Sequence, residues 1–178
     1  PDARDLAAMR RHVARAAARF PRVVVTMHMG AEGVNAQRTR DRRETFLGED
    51  RGNLVAFARA AVDAGADLVI GHGPHVLRAA EWRGRAFIAY SLGNLLTYGP
   101  FSMDEPLNRG AVLCAVLEPD GAVSDVVLRA TVQVPPGLVA PDPSGRGAWL
   151  VDSLSRLDFP ETGVRFVGEA RAVEVPRK

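Results

Sequence analysis

Two histidines lie on a glycine-rich turn in the segment LVIGHGPHV, residues 68–76, directly after an apolar run. The glycines give the backbone of this turn conformational freedom, and the proline restricts its own φ to about −65°. A third histidine, His28, ends another apolar run, and Glu32 follows it in a polar segment. Neutral imidazoles that converge at strand ends are ligands of zinc, manganese or iron, which act as Lewis acids near a phosphate. The candidate metal ligands are therefore His28, His72 and His75, with Glu32 behind them, and the alternative is a turn whose histidines are only solvated.

Two apolar runs rich in β-branched residues must position these histidines. RVVVTMHMG (residues 22–30) and DLVIG (67–71) each predict a buried strand. An amphipathic helix is predicted before each strand, over residues 4–19 and within NLVAFARAAVDAGAD (53–67), where Gly65 ends it. The order helix, strand, helix, strand predicts an α/β fold with parallel strands. Open α/β sheets bind their ligands at the carboxyl ends of the strands, where both histidine groups fall.

The remainder of the chain predicts a loop followed by antiparallel hairpins. Residues 31–50 are polar, lack periodicity and predict a long loop of the kind used for binding. Residues 79–94 and 110–134 each predict a hairpin with a central turn. Proline, glycine and serine between residues 135 and 147 predict a loop, and residues 148–178 predict a short helix with a weakly patterned tail. One domain core is enough for a chain of this length.

The charges are nearly balanced, with 23 basic and 21 acidic residues and a net charge of +2. The densest basic cluster consists of Arg38, Arg40, Arg42 and Arg43. No aromatic residues interleave with this cluster, which favours a solvated loop over a nucleic-acid interface. We therefore expect no nucleic-acid partner, and we regard the cluster as a candidate for binding an anionic substrate.

Cys114 is the single cysteine, which excludes an intramolecular disulfide and a cysteine-based zinc site. Its apolar surroundings in AVLCAVLE predict a buried structural thiol. The longest apolar runs are shorter than the roughly 20 residues that span a bilayer. Because the chain begins with Pro1 directly before a helical pattern, we expect it to be a piece of a longer polypeptide.

Three motifs, VVVTMHMGAEG, FLGEDRG and AVDAGADLVIGHGPHVLRAAEWRGRAFIAYSLGN, carry a family resemblance. In this order they resemble the C-terminal half of the CapA family of capsule and poly-γ-glutamate synthesis proteins, within the calcineurin-like metallophosphatase superfamily. The resemblance covers residues 22 to about 118. It implies an α/β/β/α metallophosphatase-like sandwich, with parallel strands followed by antiparallel hairpins, in which residues 1–134 form the C-terminal half of the domain.

The resemblance also implies a site for divalent transition metal ions, Mn, Fe or Zn, with two ions in the complete protein. These ions would hold phosphate oxygens and activate a water. By the same resemblance His28 and His75 are catalytic metal ligands, His72 is a further ligand, and Ser91 and Asn94 support the site. The alternative for the segment SLGN is an ordinary tight turn.

Two departures from the family pattern affect the expected metal site. Gly73 occupies the position where the common Gly-His-x-His spacing calls for a histidine. The family's N-terminal half, whose Gly-Asp and Asn-Asn-His motifs supply aspartate and asparagine ligands, does not precede Pro1 in this sequence. We therefore expect a chain that is incomplete without that half, which is its first expected partner.

Two functions follow from these observations. The first is a metal-dependent, phosphoesterase-like hydrolase that acts in synthesis or remodelling of an anionic capsule polymer of the poly-γ-glutamate type, at the cell envelope. The second is a non-catalytic scaffold of polymer assembly or export with a degenerate metal site, which binds the polymer through its arginine cluster. The expected ligand is an anionic polymer or a phosphoester in either case, and metal content and turnover discriminate between the two functions.

Overall fold

The computed structural model describes residues 4–97, 102–168 and 170–173, so Pro1 and the end of the predicted tail lie outside the described residues. No helix in these ranges is both long and apolar enough to cross a membrane. The described elements follow in chain order: α1 (Leu6–Ala17), β1 (Val24–His28), β2 (Glu44–Phe46), β3 (Glu49–Gly52), α2 (Leu54–Asp63), β4 (Leu68–His72), β5 (Ala80–Arg83), β6 (Ala86–Ala89), β7 (Arg109–Leu117), β8 (Val123–Val134), β9 (Leu138–Pro141), α3 (Arg146–Asp158), β10 (Arg165–Val167) and β11 (Arg171–Val173).

The first sheet has the strand order β1-β4-β6-β5. Strands β1, β4 and β6 run parallel, and β5 pairs antiparallel with β6 as the predicted hairpin. The register places Val24 opposite Leu68 and His28 opposite His72, so both strands end together. The prediction that the two histidine-bearing strands are parallel neighbours is confirmed.

Helices α1 and α2 contribute to one core with the first sheet. Asp5 caps α1 by accepting a hydrogen bond from the Ala8 amide, and Asn53 caps α2 by accepting one from the Ala56 amide. Their apolar faces bury Met9, Leu54 and other side chains against β1, β4 and β6. The two predicted helices are confirmed, and they hold the sheet from one side.

The second sheet has the order β10-β11-β8-β7, with β9 paired to β8, and its pairs are antiparallel. A second core joins Leu68 and Phe87 of the first sheet to Val126 and Leu128 of the second. Helix α3 reaches both cores, because Leu154 belongs to the first and Val151 to the second. The layers are therefore helices, mixed sheet and antiparallel sheet, which confirms an α/β fold with parallel strands followed by antiparallel hairpins.

Three segments differ from the sequence-based expectation. The predicted loop over 31–50 ends in a hairpin, in which Leu47 and Gly48 have positive φ values of 49° and 79° and form a two-residue turn between β2 and β3. These strands are short and mostly exposed, so no alternating apolar pattern marks them. The predicted loop over 135–147 contains β9, and the tail adds β10 and β11 to the second sheet. These strands have only three or four residues each, too few for an alternating pattern to predict them.

The prediction of a buried Cys114 is wrong, because the thiol is exposed. Successive side chains of β7 alternate between the core and the opposite face, where Val112 and Val116 are also exposed. An apolar run in an antiparallel strand therefore does not require burial of both faces.

Candidate functional site

The carboxyl ends of β1 and β4 place His28 and His72 on adjacent strands. The Met29 amide, directly after His28, donates a hydrogen bond of 3.0 Å to the His72 carbonyl and continues the ladder by one residue. Partial desolvation of the His72 ring, and secondarily the charge of His28, lowers the pKa of His72 below its ordinary value of 6.5. A lowered pKa favours the neutral imidazole, which is the form that binds metals.

Two glycines allow the histidine turn to lie against its neighbours. A Cβ at Gly71 would lie 2.0 Å from the carbonyl oxygen of Tyr90, the residue after β6. Gly73 has a φ of +112°, and a Cβ there would lie 3.0 Å from the Met29 carbonyl oxygen and 3.2 Å from Cδ2 of His28. The backbone after His72 therefore approaches the His28 ring as closely as only glycine permits.

His75 lies beyond this turn, and Asn94 orients its ring. The Asn94 amide donates from Nδ2 to the carbonyl oxygens of His75 and Leu107, at 3.2 Å and 2.9 Å. This directs its Oδ1 to Nδ1 of His75, 2.7 Å away. Because Oδ1 only accepts, Nδ1 carries the proton, and in the neutral ring Nε2 then carries the lone pair. Asn94 thus fixes the tautomer and the orientation of the His75 ring.

Glu32 faces the other nitrogen of this ring. Its Oε2 lies 3.9 Å from Nε2 of His75, while its Oε1 accepts a hydrogen bond of 2.8 Å from Arg51. The guanidinium of Arg51 lies over the Phe46 ring, 5.5 Å from its centroid. The hairpin of β2 and β3 therefore holds the carboxylate beside the imidazole.

The structure arranges the predicted site residues in two groups at the same end of the first sheet. His28 and His72 form one group, and Glu32, His75 and Asn94 form the other, with Gly73 and Pro74 between them in the chain. Ser91 is buried, where its Oγ accepts from the Gly93 amide and its carbonyl accepts from the Arg78 amide. These contacts belong to the turn of the SLGN segment, and a supporting role for Ser91 stays a prediction.

The donor set decides how well this end of the sheet fits a metal ion. Within the described ranges, no group of three or more His, Cys, Asp or Glu side chains is arranged to hold one. Two imidazoles in one group and an imidazole beside a carboxylate in the other provide suitable donor types, but they do not form a complete ligand set. The described residues therefore do not constitute a metal site by themselves.

The arginine cluster lies on a separate feature, a cavity of about 410 Å³ beside Ala31. Besides Arg38, Arg40, Arg42 and Arg43 it is lined by Arg78, which sequence reasoning missed. Arg78 is 1% exposed and donates two hydrogen bonds of 2.9 Å to the Glu44 carboxylate. The signal in the sequence was a lone arginine within the apolar run HVLRAAE, because an arginine in such a run needs a buried partner.

Comparison with known proteins assigns the family. Residues 1–98, more than half of the chain, match the family described as bacterial capsule synthesis protein PGA_cap. The chain belongs to this family. The matched region contains the strand-end histidines, Asn94 and the arginine cluster, so the resemblance to CapA proteins in the sequence motifs is confirmed.

Three relatives illustrate the extent of the similarity to this PGA_cap chain. Over 74 residues it is 39% identical to the capsule biosynthesis protein CapA of Bacillus anthracis and 40% identical to the PGA biosynthesis protein CapA of Bacillus subtilis (strain 168). Each match covers 42% of this chain, but only 15% and 16% of those two proteins. A shorter match of 39 residues is 59% identical to the uncharacterized protein y4sH of Sinorhizobium fredii (strain NBRC 101917 / NGR234), and covers 22% of this chain and 8% of that protein.

Proposed function

We propose that this chain is part of a phosphoesterase-like, metal-dependent hydrolase that acts in the synthesis of an anionic capsule polymer. The observation that carries the proposal is the pair of hydrogen bonds by which Asn94 holds the ring and backbone of His75 at the end of a parallel sheet. A side chain that fixes the tautomer of a half-buried histidine is useful where Nε2 must present its lone pair to a ligand. The family membership supplies the biological context.

Backbone strain supports the same proposal. His75 has a φ of +59°, a conformation that costs a non-glycine residue about 1 to 3 kcal/mol. Such strain clusters at functional sites, where the surrounding structure compensates for it. The compensation here comes from the Asn94 side chain, which binds the His75 carbonyl oxygen as well as the ring.

We further propose that the remaining ligands, including a carboxylate, come from the part of the longer polypeptide outside this chain. Two positively charged ions about 3.5 to 4 Å apart need bridging negative charge, which two groups of imidazoles with one carboxylate do not supply. When bound, a divalent metal supplies Lewis acidity toward a phosphoester oxygen. The proposed tasks of this chain are to hold His28, His72 and His75 in place and to keep His72 neutral.

The decisive experiment compares this chain with the complete polypeptide. We expect the chain alone to bind Mn²⁺ or Zn²⁺ weakly in calorimetric titration and to lack phosphodiester turnover. The complete polypeptide is expected to bind about two ions and to lose turnover when a chelator removes them. Full turnover by the chain alone would contradict the proposal, and the missing carboxylate would then belong to the segment from Glu32 to Asp50.

A point variant tests the role of Asn94 within the complete polypeptide. Asn94→Ala removes the oxygen that accepts the hydrogen bond from Nδ1 of His75. We expect the affinity for the metal ion to fall about 10- to 100-fold, because the ring is no longer held in place. His12→Ala is the matched control, because His12 lies exposed on α1 and affinity should not change. Equal affinity of wild type and Asn94→Ala would show that the ring orientation is unimportant for metal binding.

The alternative function is a non-catalytic scaffold that binds the polymer and keeps a degenerate site. The incomplete donor set and the arginine-lined cavity favour this alternative. It predicts polymer binding that weakens with salt, together with no turnover in the metal-loaded complete polypeptide. The same titration and turnover measurements therefore separate the two functions.

A further inference from the structure

We propose that the arginine-lined cavity is a binding site for a ligand that carries at least two oxyanion groups, either carboxylates or phosphates. The inference deepens the proposed function and rests on it, since it names the ligand class that this protein handles beside its histidine residues. The cavity lies next to that site, because Ala31 lines it and the following residue, Glu32, faces His75.

The lining is strongly and asymmetrically charged. Among the described residues, five arginines and one acidic residue, Glu44, line it, and from outside the lining Asp158 pairs with Arg38 and Asp50 with Arg43. Glu44 is already engaged by Arg78, through two parallel hydrogen bonds. Among residues 4–97, 102–168 and 170–173, the side chains of Arg40 and Arg42 form no ion pair or hydrogen bond, and both are exposed. Two guanidinium groups are therefore available to a ligand.

The walls of the cavity are held in place by buried carboxylates. Asp158, whose side chain is 0% exposed, accepts hydrogen bonds from Nε of Arg38 at 2.6 Å and from the Thr39 amide at 2.7 Å. Glu44 accepts a further hydrogen bond of 2.8 Å from the Ala31 amide. Residues 38–43, the arginine segment, are thus anchored at both ends. This reduces the conformational entropy that the segment loses when a ligand binds.

A buried donor at the cavity has no acceptor. Nε of Arg78 is inaccessible to solvent and has no hydrogen-bond partner among the described residues. A buried polar group without a partner costs about 1 to 3 kcal/mol, so native proteins rarely retain one without a reason. A ligand oxyanion in the cavity does not reach this Nε directly, but it would lie beside the Arg78 guanidinium and add negative charge there.

The size of the cavity indicates a ligand with more than one anionic group. Its volume of about 410 Å³ is within the range of small-molecule sites and exceeds the need of a single phosphate ion. Each guanidinium can pair in bidentate fashion with one carboxylate or phosphate. Arg40 and Arg42 therefore favour two oxyanion groups on one ligand, as in a short segment of an anionic polymer.

The test uses the purified chain and three probes: a pentaglutamate peptide, tripolyphosphate and inorganic phosphate. We expect at least one of the two multivalent probes to bind more tightly than inorganic phosphate. Tighter binding of pentaglutamate would identify the oxyanions as carboxylates, and tighter binding of tripolyphosphate would identify them as phosphates. The double variant Arg40→Gln/Arg42→Gln should weaken that binding by at least about tenfold, because hydrogen bonds to charged groups are the strong ones.

The matched control is the double variant Arg11→Gln/Arg15→Gln, which removes the same charge from the exposed face of α1 and should keep wild-type affinity. An equal loss of affinity in both double variants would show that the probe is attracted only by the overall charge, and would overturn the proposal. Equal affinity for inorganic phosphate and for the multivalent probes would overturn it too, as would the absence of binding by all three probes. Thermal unfolding checks that both variants fold. Metal titration of Arg40→Gln/Arg42→Gln in the complete polypeptide reports on the histidine site separately, so failure of one site is distinguishable from failure of the other.

Discussion

The histidines at the end of the first sheet differ in how the chain controls their protonation. Asn94 controls His75 by a hydrogen bond of 2.7 Å to one ring nitrogen. His72 has a lowered pKa because its ring is partly desolvated, and because His28 lies on the adjacent strand. The contact with Asn94 selects the tautomer of His75, whereas the lowered pKa of His72 favours its neutral imidazole near pH 7, the form that binds metals.

At the residue scale, the lowered pKa of His72 predicts how folding stability depends on pH. Above about pH 6.5 His72 is neutral in both the folded and the unfolded chain and contributes nothing. As the pH falls through 6.5, the unfolded chain takes up the proton first, so the free energy of unfolding decreases until His72 is protonated in the folded chain as well. Urea unfolding at pH 7.5 and pH 5.5 should show a smaller loss for His72→Gln than for wild type. Equal losses would mean that the folded and unfolded pKa values of His72 coincide.

At the element scale, helix α3 and the arginine segment depend on each other. Asp158 ends α3, where the helix dipole disfavours a negative charge. Arg38 and the Thr39 amide compensate by pairing with its carboxylate, although they lie more than a hundred positions earlier in the chain. The carboxylate therefore stabilises the arginine segment more than it stabilises its own helix.

The variant Asp158→Ala tests this dependence. We expect it to lower the free energy of unfolding by about 1 to 3 kcal/mol, because the Thr39 amide loses its acceptor. We also expect weaker binding of the multivalent anion, because the arginine segment is no longer anchored. Asp63→Ala is the matched control, since Asp63 also ends a helix but pairs with Arg83 at the surface, and its removal should change stability by less than about 1 kcal/mol. Equal effects of the two substitutions in urea unfolding and in anion titration would contradict the anchoring role.

At the scale of the whole molecule, β1 is the part of the first sheet with the least cover. Met27 and Val25 pack toward α1 and α2, but Val24 is 46% exposed and Thr26 is exposed on the opposite face. Within the described ranges β1 pairs only with β4, so its other edge presents backbone donors and acceptors. Parallel strands are normally covered on both faces, which favours a further layer or strand at this position.

The uncovered edge predicts self-association of the chain when it is studied alone. Sedimentation velocity at increasing concentration should detect dimers or larger species of the wild-type chain, since an open apolar strand edge pairs with another copy. Thr26→Lys should reduce this association by placing a charge on the edge, whereas Val112→Lys on the exposed face of β7 should not. A monomeric wild type at all concentrations, or equal effects of the two lysines, would contradict the prediction.

Much of the fold could be predicted from the sequence because local patterns determine it. The helical spacing of Leu6, Met9 and Val13 indicates α1, and the apolar β-branched runs before His28 and His72 indicate parallel strands. Parallel strands of this kind end at one edge, so the proximity of the two histidine groups followed from the order of elements alone. The two antiparallel hairpins were predicted from the turn residues at their centres.

The tertiary structure alone decided which of these groups contact each other and which faces are covered. Arg78 and Glu44 are 34 positions apart, and Arg38 and Asp158 are 120 apart, so no local pattern relates them. Cys114 is exposed because no further layer covers that face of β7 among the described residues, although its apolar neighbours predicted burial. Periodicity records which residues share a face of an element. Only the path of the whole chain determines what packs on that face. It therefore also determines whether two distant charged residues form an ion pair, and whether an arginine-rich segment lines a cavity.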